Sequence, residues 1–159
     1  MKYLRKIFEQ VNSEQFIDAV ILDAARRLSL RDTKKLISEG VDVNIQNKIQ
    51  RTPLIICVMV ANGAQDKIIK MVNLLVENGA KLDIQDSIGD TALIKATYKG
   101  RYKVMNRLIE LGAEWYIKDK RGEDFLSFLE KPKIKELIEK YPDKYAEYKM
   151  KVDAEKYNL

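Results

Sequence analysis

Histidine is absent from this 159-residue chain. That removes the Ser-His-Asp and Cys-His nucleophile systems, the histidine-containing zinc sites and any histidine general base. Cysteine occurs once, as Cys57, so neither an intramolecular disulfide nor an all-thiolate metal site can be built within the chain. No apolar run is long enough for a membrane span, and the opening "MKYLRKIF" carries charge every few residues, unlike a signal peptide. Glycine-rich phosphate loops, zinc-ligand spacings and basic runs interleaved with aromatics are missing too. These gaps predict a soluble, cytoplasmic chain with no metal and no other cofactor. Catalysis would be left to carboxylates, lysines, tyrosines and Cys57, and the 24 Asp and Glu residues offer no way to select a pair. Solvated surface acids and a core cysteine are expected instead, and the chain is read as non-enzymatic.

What is present suits an elongated single domain: 46% apolar residues can build a core, and 33% charged residues need much surface. One phrase occurs three times, as "IQNKIQRTPLII" from Ile45, "IQDSIGDTALIK" from Ile84 and "IKDKRGEDFLSF" from Ile117. Asn47, Asp86 and Asp119 stand where an Asx side chain closes a turn on its own backbone. Gly89 and Gly122 supply turn freedom in two copies, and Gln50 takes that place in the first. Thr52, Thr91 and Asp124 precede apolar segments as helix N-caps do, and Pro53 fits a first helical position. The caps predict short helices over Leu54–Val60, Leu93–Lys99 and Leu126–Leu129. A second helix then runs into Gly40, Gly79 or Gly112, the signal of a left-handed C-cap, and an alternating arm leads to the next turn.

A period of about 33 residues with this grammar resembles the ankyrin repeat. The matching residues are "TPL" at Thr52–Leu54, "TAL" at Thr91–Leu93, "EGVDVN" at Glu39–Asn44, "NGAKLD" at Asn78–Asp83 and "LGAE" at Leu111–Glu114, within a stretch from Phe16 to Tyr141. The resemblance implies an all-α ankyrin-repeat solenoid: stacked helix-turn-helix units with short hairpin-like turns and helical caps. Ile55 and Ile94 replace the family's histidine after Thr-Pro-Leu, so burial is expected to substitute for its polar tie.

One domain over 1–159 divides into an N-terminal capping helix (1–13), repeat 1 (14–46), repeat 2 (47–85), repeat 3 (86–118), a degenerate capping repeat (119–141) and a helical tail (142–159). Leu4, Ile7, Phe8 and Val11 form the apolar stripe of the first cap. Ser29 opens a capping box, while Pro132 is expected to open the last second helix and Pro142 to stop it. Repeat 2 is longer by about six residues, and the excess is assigned to Ala61–Asp66, between its helices. This segment is either tolerated length or a finger reaching a partner.

The family binds proteins mostly through turn tips and first helices on the concave side. Carried onto this sequence, the tips are Gln46, Lys48, Ile49 and Arg51; Gln85, Ser87, Ile88 and Asp90; and Lys118, Lys120, Arg121 and Glu123. The first helices contribute Arg26, Arg27, Met59, Val60, Tyr98 and Lys99. Ile49 and Ile88 form either an exposed apolar stripe or a pair packed on neighbouring tips.

Five cations and no acid lie between Thr91 and Ile109: Lys95, Lys99, Arg101, Lys103 and Arg107. They are either an ordinary rim or a basic field for an acidic protein surface, with nucleic acid or another polyanion at 95–107 as the alternative. Trp115 is expected buried and Tyr116 exposed. Tyr141, Tyr145, Tyr148 and Val152 give the tail one face for the last repeat or for a partner helix. The resulting expectation is a monomeric interaction module, an adaptor or an inhibitor, that docks on a protein.

Overall fold

The computed structural model describes residues 13–60 and 64–157, with side chains from 19 to 156. The expected capping stripe at Leu4 to Val11, and Ala61–Gly63 of the expected insertion, lie outside the described residues. Among those described, every regular element is helical. α1 (Ser13–Arg26) and α2 (Leu30–Ser38) form the first unit, α3 (Pro53–Met59) and α4 (Gln65–Glu77) the second, and α5 (Ala92–Tyr98) and α6 (Tyr102–Glu110) the third. A single 3-10 turn (Phe125–Phe128) and α7 (Lys131–Lys140) make an abbreviated fourth, followed by α8 (Pro142–Tyr157).

The first elements of successive units stack on one another, α1 on α3, α3 on α5 and α5 on the 3-10 turn, while α2, α4 and α6 stack behind them. α3 and α5 are therefore covered on nearly every side. Their sequences "PLIICV" and "ALIKAT" are buried throughout, which is why they show no amphipathic period. Ile55 and Ile94 are 1% and 2% exposed, filling the place that a polar residue would need a partner to occupy. Cys57 is fully buried; burial pushes its thiol up to about 12, and the group bonds to the Leu54 carbonyl. It is a core residue with no reactive thiolate near neutral pH.

The ends of the helices follow the sequence closely. Thr52 and Thr91 accept the N–H of Ile55 and Ile94, and Asp124 accepts those of Leu126 and Ser127. Ser29 accepts the N–H of Asp32 and opens α2. After α2, α4 and α6 the chain turns at Gly40, Gly79 and Gly112, and the following N–H returns to Leu36, Leu75 and Leu108. These are Schellman closures, in which the glycine's positive φ lets the chain leave the helix with its last carbonyls satisfied. Pro132 lies in the first turn of α7, and Pro142 begins α8 one residue after α7's cap.

The extra length of repeat 2 falls mostly elsewhere than expected. α4 has 13 residues against 9 in α6, so the greater part of the insertion prolongs a helix N-terminally, and only the remainder lengthens the connection. "QDKIIK" continues the helical period of α4, and added helix carries its own hydrogen bonds where added loop would not.

The tail packs on the stack. Trp115 is 3% exposed and lies edge-on to Phe125 at 5.1 Å and to Tyr141 at 6.3 Å. The Tyr148 hydroxyl donates to Asp124 at 2.8 Å; burial, with this carboxylate second, raises its pKa. Tyr116 is only half exposed, because the Lys151 ammonium of α8 lies 3.9 Å from its ring centre. α8 thus occupies the face that a further repeat would cover.

At the turns, the Asn47 side-chain oxygen accepts the N–H of Ile49 and Arg51, Asp86 those of Ile88 and Asp90, and Asp119 those of Arg121 and Glu123. Each tip also bonds to the next: Ser87 N–H to the Ile49 carbonyl and Lys120 N–H to the Ile88 carbonyl, both 3.0 Å. Gly89 has φ +86°, and a Cβ there would sit 2.7 Å from the Lys120 nitrogen and 2.9 Å from Asp119 Cα. Gln50 holds the equivalent place at φ 57° with a side chain. Gly89→Ala is therefore expected to cost at least about 2 kcal/mol, and Gln50→Gly to stabilise by up to about 1 kcal/mol, both read by urea unfolding.

Burial alone would raise the carboxyls of Asp86 and Asp119. Lys95 with the turn N–H groups in the first case, and the turn N–H groups with Arg121 in the second, reverse this and hold both below the ordinary carboxylate value. A depressed folded pKa contributes stability that is present above the unfolded value, about 4, and is lost as pH falls through the folded one. Stability to urea should drop over that acidic window. Asp119→Asn should keep the turn, as Asn47 does, and flatten part of the drop.

Candidate functional site

Two turn tips, two inner helices and the 3-10 turn line one open groove of about 440 Å³. Met59 ends α3, Tyr98 ends α5 and Phe128 ends the 3-10 turn, so one register position in each unit supplies an apolar side chain to it. Ile88 comes from the middle tip. Tyr98 is 63% exposed and Ile88 50%, and the Tyr98 ring meets Phe128 edge-on at 5.7 Å. Ile49, on the preceding tip, is 44% exposed, so neither isoleucine is hidden by its neighbour.

The floor is charged but internally balanced. Lys95 reaches inward from α5 to Asp86 at 3.0 Å and to Asp90, and Arg51 meets Asp86 at 3.3 Å from the preceding tip. All three side chains around Lys95's ammonium, its own included, are nine-tenths buried or more. Such a cluster ties two tips and one helix together, and removing Lys95 would leave the buried Asp90 without its charged partner. Asp119 is spent in the same way, on its turn and on Arg121.

The tips' aspartates are therefore turned inward, and the charge left outward is basic. Lys99, Lys120 and Arg121 stand exposed around the groove. Lys99 lies 5.7 Å from the Tyr98 ring centre and Arg121 5.5 Å from that of Phe128. Such an arrangement presents an apolar spot with a cationic border.

A family model described as "Ankyrin repeats (3 copies)" matches residues 21–119. The chain belongs to the ankyrin repeat family. It is 36% identical over 81 residues to the mouse (Mus musculus) protein "Ankyrin repeat and SAM domain-containing protein 6", covering 50% of this chain and 8% of that protein. The rat (Rattus norvegicus) protein of the same name is 35% identical over the same share. "Mitochondrial disaggregase" of Bos taurus is 25% identical over 168 aligned positions, 87% of this chain and 25% of that protein. The chain thus spans a small part of the relatives it matches. The ankyrin family is typically non-enzymatic, and its repeats generally serve as protein-interaction modules. No helix of the described residues is long and apolar enough to cross a membrane.

Of the residues named from the sequence, the ankyrin stack brings Met59, Ile88, Asp90, Tyr98, Lys99, Lys120 and Arg121 to the groove. Lys48 and Ile49 are exposed on the previous tip. Several of the named residues are engaged within the fold. Asp90 is 6% exposed and bound to Lys95, so it builds the groove's floor. Arg51 is half-buried against Asp86, and Ser87 is half-buried with its N–H on the Ile49 carbonyl. Gln46 donates to the carbonyls of Gln50 and Gln85, and Gln85 to those of Gly89 and Lys118; these amides stitch tips together. Arg26 ends α1 and Arg27 follows it; neither lines the groove, and Arg27 is tied to Asp23 and Asp32.

Arg101 is the largest departure. It is 9% exposed, and its guanidinium donates to the Val58 carbonyl at 2.7 Å and to that of Val60. It closes the C-terminal end of α3 from the next unit, where unpaired carbonyls attract a cation. Burial lowers its pKa. With Lys95 also buried, Arg107 bonded to Asn73 and Glu110, and Lys103 facing Asp66, the segment 95–107 makes no continuous cationic strip. The missed groove residue is Phe128; its signal was its place at the end of an inner element, like Met59 and Tyr98.

Arg101→Ala is expected to cost about 2–4 kcal/mol, because two buried carbonyls lose a charged donor. Arg101→Lys should recover only part, since an ammonium lacks the planar fork. Thermal and urea unfolding check both.

Proposed function

We propose that this chain is a protein-interaction module whose concave groove docks an acidic surface of another protein, as an adaptor or inhibitor with no catalytic step. The observation that carries this reading is the groove itself, where exposed Ile88 and Tyr98 lie beside Lys99, Lys120 and Arg121 while the tip aspartates are consumed inside the fold. Apolar exposure of this kind costs solubility unless a partner covers it. Relatives as unlike as a SAM-domain protein and a disaggregase match this chain over a minor part of their length, as a separable module would. The single buried cysteine suits a cytoplasmic setting, and the α8-covered end suits a monomer.

Tyr98 and Ile88 are exposed, so changing them should leave folding intact. A photo-crosslinker at position 120, exposed in the groove and unchanged in the variant below, should capture a specific protein from host extract. The Ile88→Asp, Tyr98→Ala double variant should lose that partner by roughly 30-fold or more in affinity, the usual cost of removing a hot spot. Equal recovery by both forms, with equal melting, would count against the groove as the binding face.

A further inference from the structure

We propose that the groove's occupant is a short segment of another protein in which one large apolar side chain is accompanied by carboxylates. This rests on the reading of the concave face as a protein-binding surface and adds the chemistry of what binds there. The apolar part comes first. Met59, Ile88, Tyr98 and Phe128 wall a volume of about 440 Å³, within the range that encloses a ligand or a few inserted side chains. A flat protein surface would leave Tyr98 and Phe128 half wetted, whereas an inserted ring or branched side chain fills the space between them.

The flanking charges follow from which cations are already engaged. Arg121 holds Asp119 through Nε at 2.9 Å and also Glu123, so its fork is occupied. Lys95 is buried between two aspartates. Lys99 and Lys120 have no carboxylate within ion-pairing distance among the described residues. They belong to different elements, Lys99 to the C-cap of α5 and Lys120 to the third tip, and both line the groove with its apolar wall. A segment that seats its anchor against the wall comes within reach of both lysines. Two separated lysine point charges suit single carboxylates; a nucleic-acid backbone would call for a run of cations and for free arginine forks.

The test selects a random-peptide phage library on the full chain at moderate salt and measures winners by fluorescence anisotropy. Enriched peptides should carry one aromatic or large aliphatic residue with Asp or Glu close to it in the sequence. Their affinity should fall about tenfold or more with Tyr98→Ala, and several-fold with Lys99→Glu or Lys120→Glu, with weakening as salt rises. The double reversal Lys99→Glu, Lys120→Glu should instead enrich lysine-flanked anchors. All these positions are exposed, and melting curves confirm that the variants fold. Winners with neutral or basic flanks that still need Tyr98 would overturn the acidic segment and leave the groove as a protein-binding face. Winners indifferent to Tyr98, Ile88 and both lysines would overturn the two together. Binding of a single-stranded oligonucleotide that needs the lysines but not Tyr98 would replace the peptide by a polyanion.

Discussion

The structure depends on one small interaction made three times: an Asx side chain accepting two backbone N–H groups at the root of each tip. Asn47, Asp86 and Asp119 satisfy donors that would otherwise point inward unpaired, and so fix where each tip leaves the body. Once the tips share one geometry, the N–H of the next tip can reach the carbonyl of the last, and Gln46 and Gln85 can span from one arm to another. The inner helices then start at equal heights and stack with their apolar sequences fully enclosed. An error at one turn would be felt at the neighbouring helix, because each unit contacts little besides its neighbours.

The same interaction shapes the electrostatics of the groove. Using a carboxylate to close a turn removes it from the surface, and burying Asp90 with Lys95 removes another. What remains outward on the groove is lysine, arginine and apolar surface. A modest net charge of +5 thereby becomes a locally basic border, although nothing in the total composition distinguishes that border from the rest of the surface. Inverting which charges are spent internally would invert the partner with no change of fold.

Several features were legible in the sequence because their causes are local. N-caps, Schellman glycines and Asx turns are each completed within about five residues, so Thr52, Gly79 or Asp86 can be read without knowing what packs nearby. Exposure of Ile49 and Ile88 was posed by their tip positions but decided by the spacing of neighbouring tips. Arg101 was misread for the opposite reason. Its partners are the carbonyls of Val58 and Val60, in another unit, and no pattern around Arg101 reveals that it points inward. Gln46 and Gln85 failed alike, their second partners lying a full repeat away. The insertion was placed in a loop because its period overlapped that of the helix it extends.

By itself, then, the sequence determined the unit: its turn, its caps, its two helices, its glycine exit and its recurrence, all set by short-range hydrogen bonding and steric limits. Tertiary structure decided which charges are spent and which are left. Lys95 and Lys99 sit one helical turn apart on α5, yet one is buried between two aspartates and the other rests on an exposed aromatic ring. That division follows from how α5 folds back on the tip before it, which presents Asp86 and Asp90 to Lys95 and leaves Lys99 out of their reach.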